Sequence, residues 1–373
     1  MTRVDSQLAP ARLDTTPCPV PPWLPGGDSQ TVYAALFAQY HRIAFVRDRV
    51  DTPDTDFVDF DWTGPGLFPH KAADGAPVSG QRPVGNGKTA AARWMTDADW
   101  KSLPQTPDTP ALILFHGLEG GSNSRYAQSI AHYFRARGWI VVIAHFRGCS
   151  GVPNRLARAY YSGDSAEVGF LLNTVRQRIP HARWHAVGVS LGGNALLKYL
   201  GEHQEDTTWL TACAGVSAPL DLVACGKTLS TGIFNRRVYT AHFLKTLKHK
   251  VLEKAHRFPG SIDVMRIAHA HDLREFDDTY TAPMHGFRNA LDYWTRASSK
   301  PWLPKIAVPT LVLNARNDPF IPAASLPKPE DCAPGILLHQ PSDGGHAGFP
   351  TGSFPGHLNW LPQRLGRFFE TGL

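Results

Sequence analysis

The sequence has few cysteines, no long apolar run and no large excess of charge, and each absence excludes a class of protein. Its five cysteines are odd in number, widely spaced and without any C-x-x-C pair, so no disulfide framework is expected. The longest apolar run, residues 139–144, is far too short to span a bilayer. The formal net charge of +6 is small for 373 residues and the basic side chains look scattered, so no nucleic-acid-binding face is predicted.

The N-terminal residues also lack the features of a targeting signal. Residues 1–16 are polar and contain no apolar core, which argues against a signal peptide and, with the free thiols, predicts a cytoplasmic protein. The proline-rich residues 1–22 are expected to form a flexible segment. The mild positive charge leaves peripheral contact with an anionic membrane surface open.

Apolar runs that alternate with helical patterns predict an α/β fold. Residues 45–50 and 57–62 alternate apolar and polar side chains and predict an antiparallel pair at the start of a sheet. Between 63 and 108, Gly, Pro and Ala predict long loops with at most one further strand or short helix. Further strands are predicted at 111–115, 140–144, 184–187, 211–216, 310–314 and 336–339, and helices at 32–39, 124–137, 165–178 and 194–202. The expected architecture is a mostly parallel sheet of about eight strands with helices on both faces.

A segment of about ninety residues interrupts this alternation. Residues 219–308 contain no buried-strand pattern, but helical patterns occur at 237–252 and 286–297. The predicted domain organisation is therefore a core formed by 23–218 and 309–373, with 219–308 as a helical cap or lid. Such an insertion most simply covers the C-terminal edge of the sheet, where ligands bind in folds of this class.

The pattern G-x-S-x-G occurs at residues 188–192, between a short apolar strand and an amphipathic helix. In this context the central residue, Ser190, sits on a sharp strand-to-helix turn that exposes its hydroxyl at the end of the sheet. The flanking glycines avoid a collision between strand and helix. Because the helix begins at this point, its free amides and positive dipole end face the place where an oxyanion would form.

A serine hydroxyl needs a base within hydrogen-bond reach, and the base needs an acid that orients it. In folds of this type the acid and then the histidine follow the serine along the chain. Asp318 comes just after the apolar strand at 310–314, and His346 lies on a glycine-rich loop after the strand at 336–339. The predicted catalytic triad is therefore Ser190, Asp318 and His346.

Other residues could take these roles. His339 falls within a strand, and His357 lies in the proline-rich approach to the last helix, so both are weaker candidates for the base. Asp343 is a rival acid, but it shares a loop with His346 and is less well placed to orient the ring.

Two backbone amides are expected to bind the oxyanion. One belongs to Leu191, directly after the nucleophile, and the other is assigned to Leu118 in the glycine-rich loop 116–123 after a strand. Glycine richness also suits a phosphate cradle, but the sequence has no G-x-x-x-x-G-K-[ST] motif, so a nucleotide site is not predicted.

These motifs are similar to those of a known family. The chain resembles the α/β-hydrolase superfamily, and within it the YheT-like (AB hydrolase type 4) group. The matching blocks are His116-Gly117-Leu118-Glu119-Gly120, Phe146-Arg147-Gly148-Cys149-Ser150-Gly151, residues 188–202, Gly344-Gly345-His346, Arg274-Glu275-Phe276-Asp277-Asp278, His285-Gly286-Phe287 and Gln30-Thr31. The resemblance implies a Ser-Asp-His hydrolase of carboxylic esters, with short-chain esters or acyl lipids as small-molecule substrates.

The resemblance carries the triad onto the same three residues, and the implied chemistry needs no metal and no organic cofactor. The chain departs from the family where Asp164-Ser165-Ala166-Glu167 replaces a more acidic run. Asn154 and Arg155 are interpreted as structural rather than substrate-binding residues.

Two alternatives to an ester hydrolase stay open at this level. An acyltransferase would use the same acyl-enzyme with an alcohol or thiol acceptor. A non-catalytic binding protein on a hydrolase fold would be expected to have lost a triad residue, and none is missing. A serine at the elbow argues against dehalogenase chemistry, which uses an aspartate there. The sequence does not fix acyl chain length, oligomeric state or movement of the cap.

Overall fold

The centre of the protein is a ten-stranded sheet, seen in a computed structural model that describes residues 8–68, 90–232 and 235–373. The strands are β1 Arg12–Asp14, β2 Phe45–Asp51, β3 Phe57–Thr63, β4 Ala91–Trp94, β5 Pro110–Phe115, β6 Ile140–His145, β7 Arg183–Val189, β8 Ala212–Val216, β9 Thr310–Leu313 and β10 Ile336–His339. The α-helices are α1 Gly27–Leu36, α2 Asp97–Ser102, α3 Arg125–Arg135, α4 Ser165–Arg178, α5 Leu191–His203, α6 Leu222–Ser230, α7 Ala241–Arg257, α8 Val264–His269, α9 Leu273–Phe276, α10 Ala282–Met284, α11 Ala290–Ala297 and α12 Trp360–Thr371.

The strand order is β1-β10-β9-β8-β7-β5-β6-β3-β2-β4. β3 is antiparallel to both of its neighbours, and every other pair in this sheet is parallel. The predicted mostly parallel sheet and the predicted pairing of β2 with β3 are thus confirmed. The C-terminal ends of β5, β7, β8, β9 and β10 meet at one edge, because parallel strands share a direction.

The sheet has ten strands rather than the predicted eight, because two short edge strands have no apolar run. β1 pairs in parallel with β10, with Leu13 opposite Leu338. The expectation of flexibility is therefore wrong for Arg12–Asp14, since the backbone is held by sheet pairing rather than by an apolar pattern. β4 pairs with β2. The interval 63–108 contains this strand and also α2, which is one element more than predicted; residues 69–89 lie outside the described part.

Both faces of the sheet are buried. One apolar cluster on one face includes Ile113, Leu171 and Leu196, and a second on the other includes Leu114, Ile130 and Leu365. β3 is buried at every position, although its alternating pattern is typical of a strand with one exposed face.

Ion pairing allows the polar side chains of β3 to be buried. The guanidinium of Arg47 donates to both carboxylate oxygens of Asp61 at 2.7 and 2.8 Å, and His145 Nε2 lies 2.8 Å from the same carboxylate. Burial opposes ionisation of Asp61, but Arg47 and His145 outweigh it and hold the pKa of this carboxyl well below its usual range.

The residues between β8 and β9 form helices α6–α11, and none of the described residues there belongs to a strand. Asn194 of α5 joins this insertion to the core, since its amide donates to the backbone oxygen of Ala297 at 2.8 Å and accepts from the amide of Ser299 at 2.9 Å. All five cysteines lie in the described ranges and none forms a disulfide, as predicted; four of them are buried. In the described part of the chain, no helix combines the length and the apolar character needed to cross a bilayer.

Candidate active site

Ser190 lies at a sharp turn between β7 and α5. Its backbone has φ 54° and ψ −122°, a conformation that non-glycine residues rarely adopt. The amide of Ser190 donates to Val216 O at 2.8 Å, which fixes the turn against β8. A Cβ on Gly192 would lie 2.5 Å from Phe115 O, so only glycine permits this approach of helix to strand. The local sequence thus holds the serine in a strained position at the edge where the parallel strands end.

The structure brings the three predicted triad residues together. His346 Nε2 lies 2.8 Å from Ser190 Oγ, and His346 Nδ1 lies 2.7 Å from Asp318 Oδ2. Because a carboxylate can only accept, Nδ1 carries the hydrogen, and Nε2 of the neutral ring accepts from the serine hydroxyl. The Asp318 side chain is fully buried and that of His346 is 10% exposed. This arrangement can remove a proton from Ser190 and stabilise the resulting imidazolium.

Both orienting residues are held by further hydrogen bonds. Asp318 Oδ1 accepts from the amide of Phe320 at 2.8 Å, which leaves Oδ2 for the histidine. The Phe320 ring lies against the imidazole, with the ring centroids 4.3 Å apart. The amide of Ala347 donates to Ser217 Oγ at 3.0 Å and ties the histidine loop to the end of β8.

Helix α1 supports the histidine loop with buried polar side chains. Thr31 Oγ1 accepts from the amide of His346 at 2.9 Å, and Gln30 Oε1 accepts from the amide of Gly344 at 2.9 Å. Gly345 has φ 64°, and a Cβ there would lie 2.9 Å from the amide nitrogen of Thr31. Gly345 therefore relieves crowding against α1, whereas a Cβ on Gly344 would lie 2.5 Å from the Phe349 ring. Motif reasoning marked Gln30-Thr31 only as a family block, and periodicity missed their position because both are polar and buried.

The rival residues lie in other environments. His339 Nδ1 accepts from Arg364 Nε at 2.8 Å and its Nε2 donates to Thr16 O at 2.8 Å, so both ring nitrogens are occupied away from the serine. His357 Nδ1 lies 3.2 Å from Thr351 Oγ1.

Asp343 Oδ2 accepts from Ser342 Oγ of the same loop at 2.8 Å, and Oδ1 accepts from Asn317 Nδ2, on the loop after β9, at 2.9 Å. The described structure therefore joins neither rival histidine nor Asp343 to Ser190.

The loop after β5 runs directly beside Ser190, since a Cβ on Gly117 would lie 3.1 Å from Ser190 Cβ. The amide of Gly117 donates to Tyr126 Oη at 2.8 Å and that of Glu119 to Tyr160 Oη at 2.8 Å. Of these three successive amides, that of Leu118 has no acceptor in the described part of the chain. The two tyrosines, which sequence reasoning missed, thus leave available the amide that was predicted to bind an oxyanion.

His116 fixes the start of the same loop. Burial lowers its pKa to about 3, so the ring is neutral. Nε2 accepts from the amide of Phe146 at 3.2 Å, so the hydrogen is on Nδ1, which donates to Gly117 O at 2.8 Å. The histidine acts as a neutral bridge from the loop to the end of β6.

A family model described as the alpha/beta hydrolase fold matches residues 110–353, more than half of the chain. The chain belongs to the α/β-hydrolase family. The predicted fold class and family are therefore confirmed.

Several relatives of this α/β hydrolase have names that describe a type of enzyme. YheT of Escherichia coli K12, which its name describes provisionally as an esterase, is 34% identical over 347 residues, which are 92% of this chain and 90% of that protein. Monoacylglycerol lipase of Saccharomyces cerevisiae is 28% identical over 92% of this chain and 76% of its own. Phospholipase ABHD3 of Bos taurus is 29% identical over 74% of this chain and 67% of its own. All three names describe enzymes that act on esters.

A cavity of about 170 Å³ lies between the insertion and Ser190 of this hydrolase. Ser190, Leu118 and His346 line it from the core. From the insertion, the lining includes the apolar side chains of Leu229, Phe243, Leu247, Val251, Phe276 and Trp294 and the charged side chains of Lys250, Lys254 and Asp277. Across the described residues, no group of three or more His, Cys, Asp or Glu side chains could hold a metal ion.

The Arg-Gly-Cys block, whose Arg147 and Gly148 also line this cavity, is held by ion pairs. Arg147 Nε donates to Glu167 Oε2 at 2.7 Å, while Asp164 accepts from the amide of Glu167 and caps α4. Asn154 is fully buried and its amide donates to Asp56 Oδ2 at 2.6 Å. Arg155 donates to Asp51 at 2.7 Å. These contacts agree with the structural interpretation of Asn154 and Arg155.

A buried acid on the insertion of this hydrolase gives a testable pH dependence. Burial raises the pKa of Asp277 to about 7 from 3.8, although hydrogen bonds from Thr281 and Trp294 favour the charged form. Between these values the folded state holds a proton on Asp277 that the unfolded state has released, so the contribution of Asp277 to stability falls as pH rises from about 4 to about 7. Asp277→Asn is expected to become more stable relative to wild type across this window, by on the order of 2–4 kcal/mol.

The measurement is urea unfolding at several pH values. Asp278→Asn, on the neighbouring residue whose side chain is 32% exposed, controls for the loss of one negative charge. A curve for Asp277→Asn that stays parallel to the wild-type curve would contradict the assignment of a buried neutral carboxyl.

Proposed function

We propose that this chain is a serine esterase that cleaves carboxylic esters through an acyl-enzyme formed on Ser190. The observation that carries the proposal is the hydrogen-bonded line from Ser190 Oγ to His346 Nε2, at 2.8 Å, and from His346 Nδ1 to Asp318 Oδ2, at 2.7 Å. The esterase and lipase names of its relatives support the same type of enzyme. The proposal also includes the insertion 219–308 as a cap over this site.

In the first half-reaction, Ser190 Oγ attacks the ester carbonyl carbon while its proton passes to His346 Nε2. The carbonyl π pair moves onto the carbonyl oxygen. When this tetrahedral intermediate collapses, the bond to the alkoxy oxygen breaks, and that oxygen takes the proton from Nε2 and leaves as an alcohol. The acyl group stays bonded to Ser190. Asp318 remains ionised throughout and stabilises the imidazolium.

In the second half-reaction, water takes the place of the alcohol. His346 Nε2 removes a proton from water as its oxygen attacks the acyl carbon. Collapse breaks the bond to Ser190 Oγ, which recovers the proton from Nε2, and a carboxylic acid is released. The enzyme returns to its starting state, so neither a metal nor an organic cofactor is consumed or required.

The amides of Leu118 and Leu191 are assigned to the oxyanion. Leu191 is the first residue of α5, so its N–H lies at the positive end of the helix dipole. The Leu118 amide is the one of its loop that stays available for an oxyanion, since its two neighbouring amides are bonded to tyrosine hydroxyls. A donor of this kind contributes about 10²- to 10³-fold to kcat.

The cavity supports an ester with an apolar acyl part. Its volume is about 170 Å³, and leucine, phenylalanine and tryptophan side chains of the insertion are among the residues that line it. Such walls favour an alkyl or aryl group over a charged one. Short-chain esters and acyl-lipid esters both fit this description, and lipid metabolism is the setting that the lipase-type relatives suggest.

A fluorophosphonate probe tests the proposal on the wild-type protein. We expect a covalent adduct at a stoichiometry near one, with the modified peptide containing Ser190, and loss of p-nitrophenyl ester hydrolysis in step with labelling. A non-catalytic binding protein on this fold would not react. Labelling at another serine, or full ester hydrolysis by fully labelled protein, would overturn the proposal.

A further inference from the structure

The net charge of the chain is concentrated in one part of the insertion. Residues 235–271, called here the basic segment, contain eight Lys or Arg and two Asp or Glu, a net charge of +6. The whole chain also has a net charge of +6, so the remaining residues sum to zero. The view of the basic side chains as scattered is therefore wrong for this segment, which comprises the turn before α7, α7 itself and α8.

Much of this charge is exposed and has no acidic partner. Arg236, Arg237, Lys245 and Arg266 are exposed, and none of them forms an ion pair within the described residues. Lys250, by contrast, turns inward and pairs with Glu119 at 2.7 Å. Arginine and lysine left unpaired in one segment produce a local positive potential that attracts an anionic surface.

α7 has two different faces. Its inner face lines the cavity above Ser190 with Phe243, Leu247 and Val251. Its outer face is polar. α8 contacts α7 through the hydrogen bond from Lys248 Nζ to Ala268 O at 2.8 Å, and α8 also exposes apolar side chains. Met265 is 67% exposed. A positive surface with apolar side chains at its tip has the composition of a membrane-contacting surface.

A second exposed feature lies on α1, whose first turn contacts the basic segment. Tyr239 donates to Asp28 Oδ1 at 3.1 Å, which places the start of α1 against the segment. Further along α1, Leu36 and Phe37 are 57% and 61% exposed.

Four aromatic rings, including that of Phe37, lie in a row on this part of the surface. The rings of Tyr33 and Phe37 are 5.5 Å apart, those of Trp23 and Tyr33 5.0 Å, and those of Trp23 and Phe354 5.5 Å. Phe354 is 76% exposed. We call Trp23, Tyr33, Leu36, Phe37 and Phe354 the aromatic patch. Soluble monomers rarely expose contiguous large apolar side chains unless the surface binds something.

We propose that the basic segment and the aromatic patch dock this protein onto an anionic phospholipid bilayer. Cations beside an exposed aromatic cluster match the two attractions that hold peripheral proteins at such a surface: charge with the lipid phosphates, and insertion of rings at the headgroup level. Leu36 and Met265 favour a bilayer over nucleic acid, because aliphatic side chains insert between acyl chains but do not stack well on bases. Docking would keep the cavity within one helix thickness of the lipid phase.

Vesicle co-sedimentation of the full-length protein tests this. Vesicles of phosphatidylcholine are compared with vesicles that contain about 30 mol % phosphatidylserine. We expect binding to the anionic vesicles that falls steeply between about 0.1 M and about 1 M NaCl, because salt shortens the Debye length from about 10 Å to about 3 Å. Arg236→Gln/Arg237→Gln/Lys245→Gln should lower the partition coefficient on the order of 100-fold, at about fivefold for each cation.

The matched control removes the same charge elsewhere. Lys101, Arg183 and Lys305 are also exposed and without ion pairs in the described chain, and their triple Gln variant should lose less than about threefold. Phe37→Ser/Phe354→Ser should weaken binding to both kinds of vesicle and leave the salt dependence unchanged. Hydrolysis of p-nitrophenyl acetate, a soluble ester, checks that every variant is folded.

Equal losses in the two triple Gln variants would overturn the proposal. Tighter binding to a single-stranded oligonucleotide than to anionic vesicles would also overturn it and would assign the surface to nucleic acid. The test does not depend on ester cleavage, so failure of docking and failure of the proposed function give different results.

Discussion

Replacing Ser190 by alanine is expected to lower kcat for p-nitrophenyl butyrate by roughly 10⁴- to 10⁶-fold. The variant retains Cβ and the strained turn, so the main change is loss of the oxygen that lies 2.8 Å from His346 Nε2. No other hydroxyl in the described structure is hydrogen-bonded to that nitrogen. Initial rates of p-nitrophenol release under saturating ester measure the effect directly.

Ser342→Ala is the matched control for this variant. Ser342 is exposed on the histidine loop, and its hydroxyl donates to Asp343 Oδ2 at 2.8 Å rather than to the proposed triad. Its activity should stay within about twofold of wild type. Activity of Ser190→Ala within tenfold of wild type would remove Ser190 as the nucleophile.

Replacing Asp318 by asparagine should lower kcat/KM by roughly 10⁴-fold with little change in the fold. Asp318 Oδ1 accepts from the amide of Phe320 at 2.8 Å, so the asparagine keeps its oxygen there and turns its NH₂ group toward His346 Nδ1. That NH₂ group donates, which leaves the ring hydrogen on Nε2. The histidine then cannot accept the proton of Ser190.

The pH–rate profile and a neighbouring variant make this prediction specific. Because an alternative base is needed, Asp318→Asn should recover activity at alkaline pH, which a merely destabilised variant would not. Asp343→Asn changes the rival carboxylate of the same region, which accepts from Asn317 at 2.9 Å, and should cost less than about tenfold. A larger loss in Asp343→Asn than in Asp318→Asn would transfer the acid to Asp343.

The sequence predicts which three side chains meet at the site better than it predicts the segments that hold them in place. Ser190, Asp318 and His346 each follow a strand whose apolar run is continuous, so the topology of a parallel sheet is enough to bring them to one edge. The elbow glycines are readable for the same reason, since a sharp strand-to-helix turn requires them. Each of these signals lies in one short stretch of the chain, although the site combines residues that are far apart in sequence.

The rest could not be predicted because it depends on contacts between distant segments. α1 begins at Gly27 rather than at residue 32, since its first turn buries Gln30 and Thr31 for hydrogen bonding rather than for apolar packing. β3 looks half-exposed by its alternation but is covered on both faces, because Arg47 neutralises Asp61. Periodicity detects burial of apolar side chains only, so buried polar ones escape it.

β1 and the start of the insertion show a second cause. β1 has three residues and no apolar pattern of its own, and exists because β10 offers an open edge. α7 begins at Ala241 and not at residue 237, because the preceding turn continues as a wider π-helical turn through Thr240. A strand that forms only because it pairs with a neighbouring strand, or a helix that contains an unusual backbone turn, has no clear pattern in a single sequence.

The hydrogen bonds from α1 to the histidine loop determine which part of the chain a functional fragment must contain. Residues 110–353, which the family model matches, include Ser190, Asp318 and His346 but not Thr31, whose hydroxyl accepts from the backbone of His346. A fragment cut at residue 110 would contain every reacting atom and still leave the imidazole without its clamp. The working enzyme is therefore expected to need α1 in addition to the residues that the family model matches.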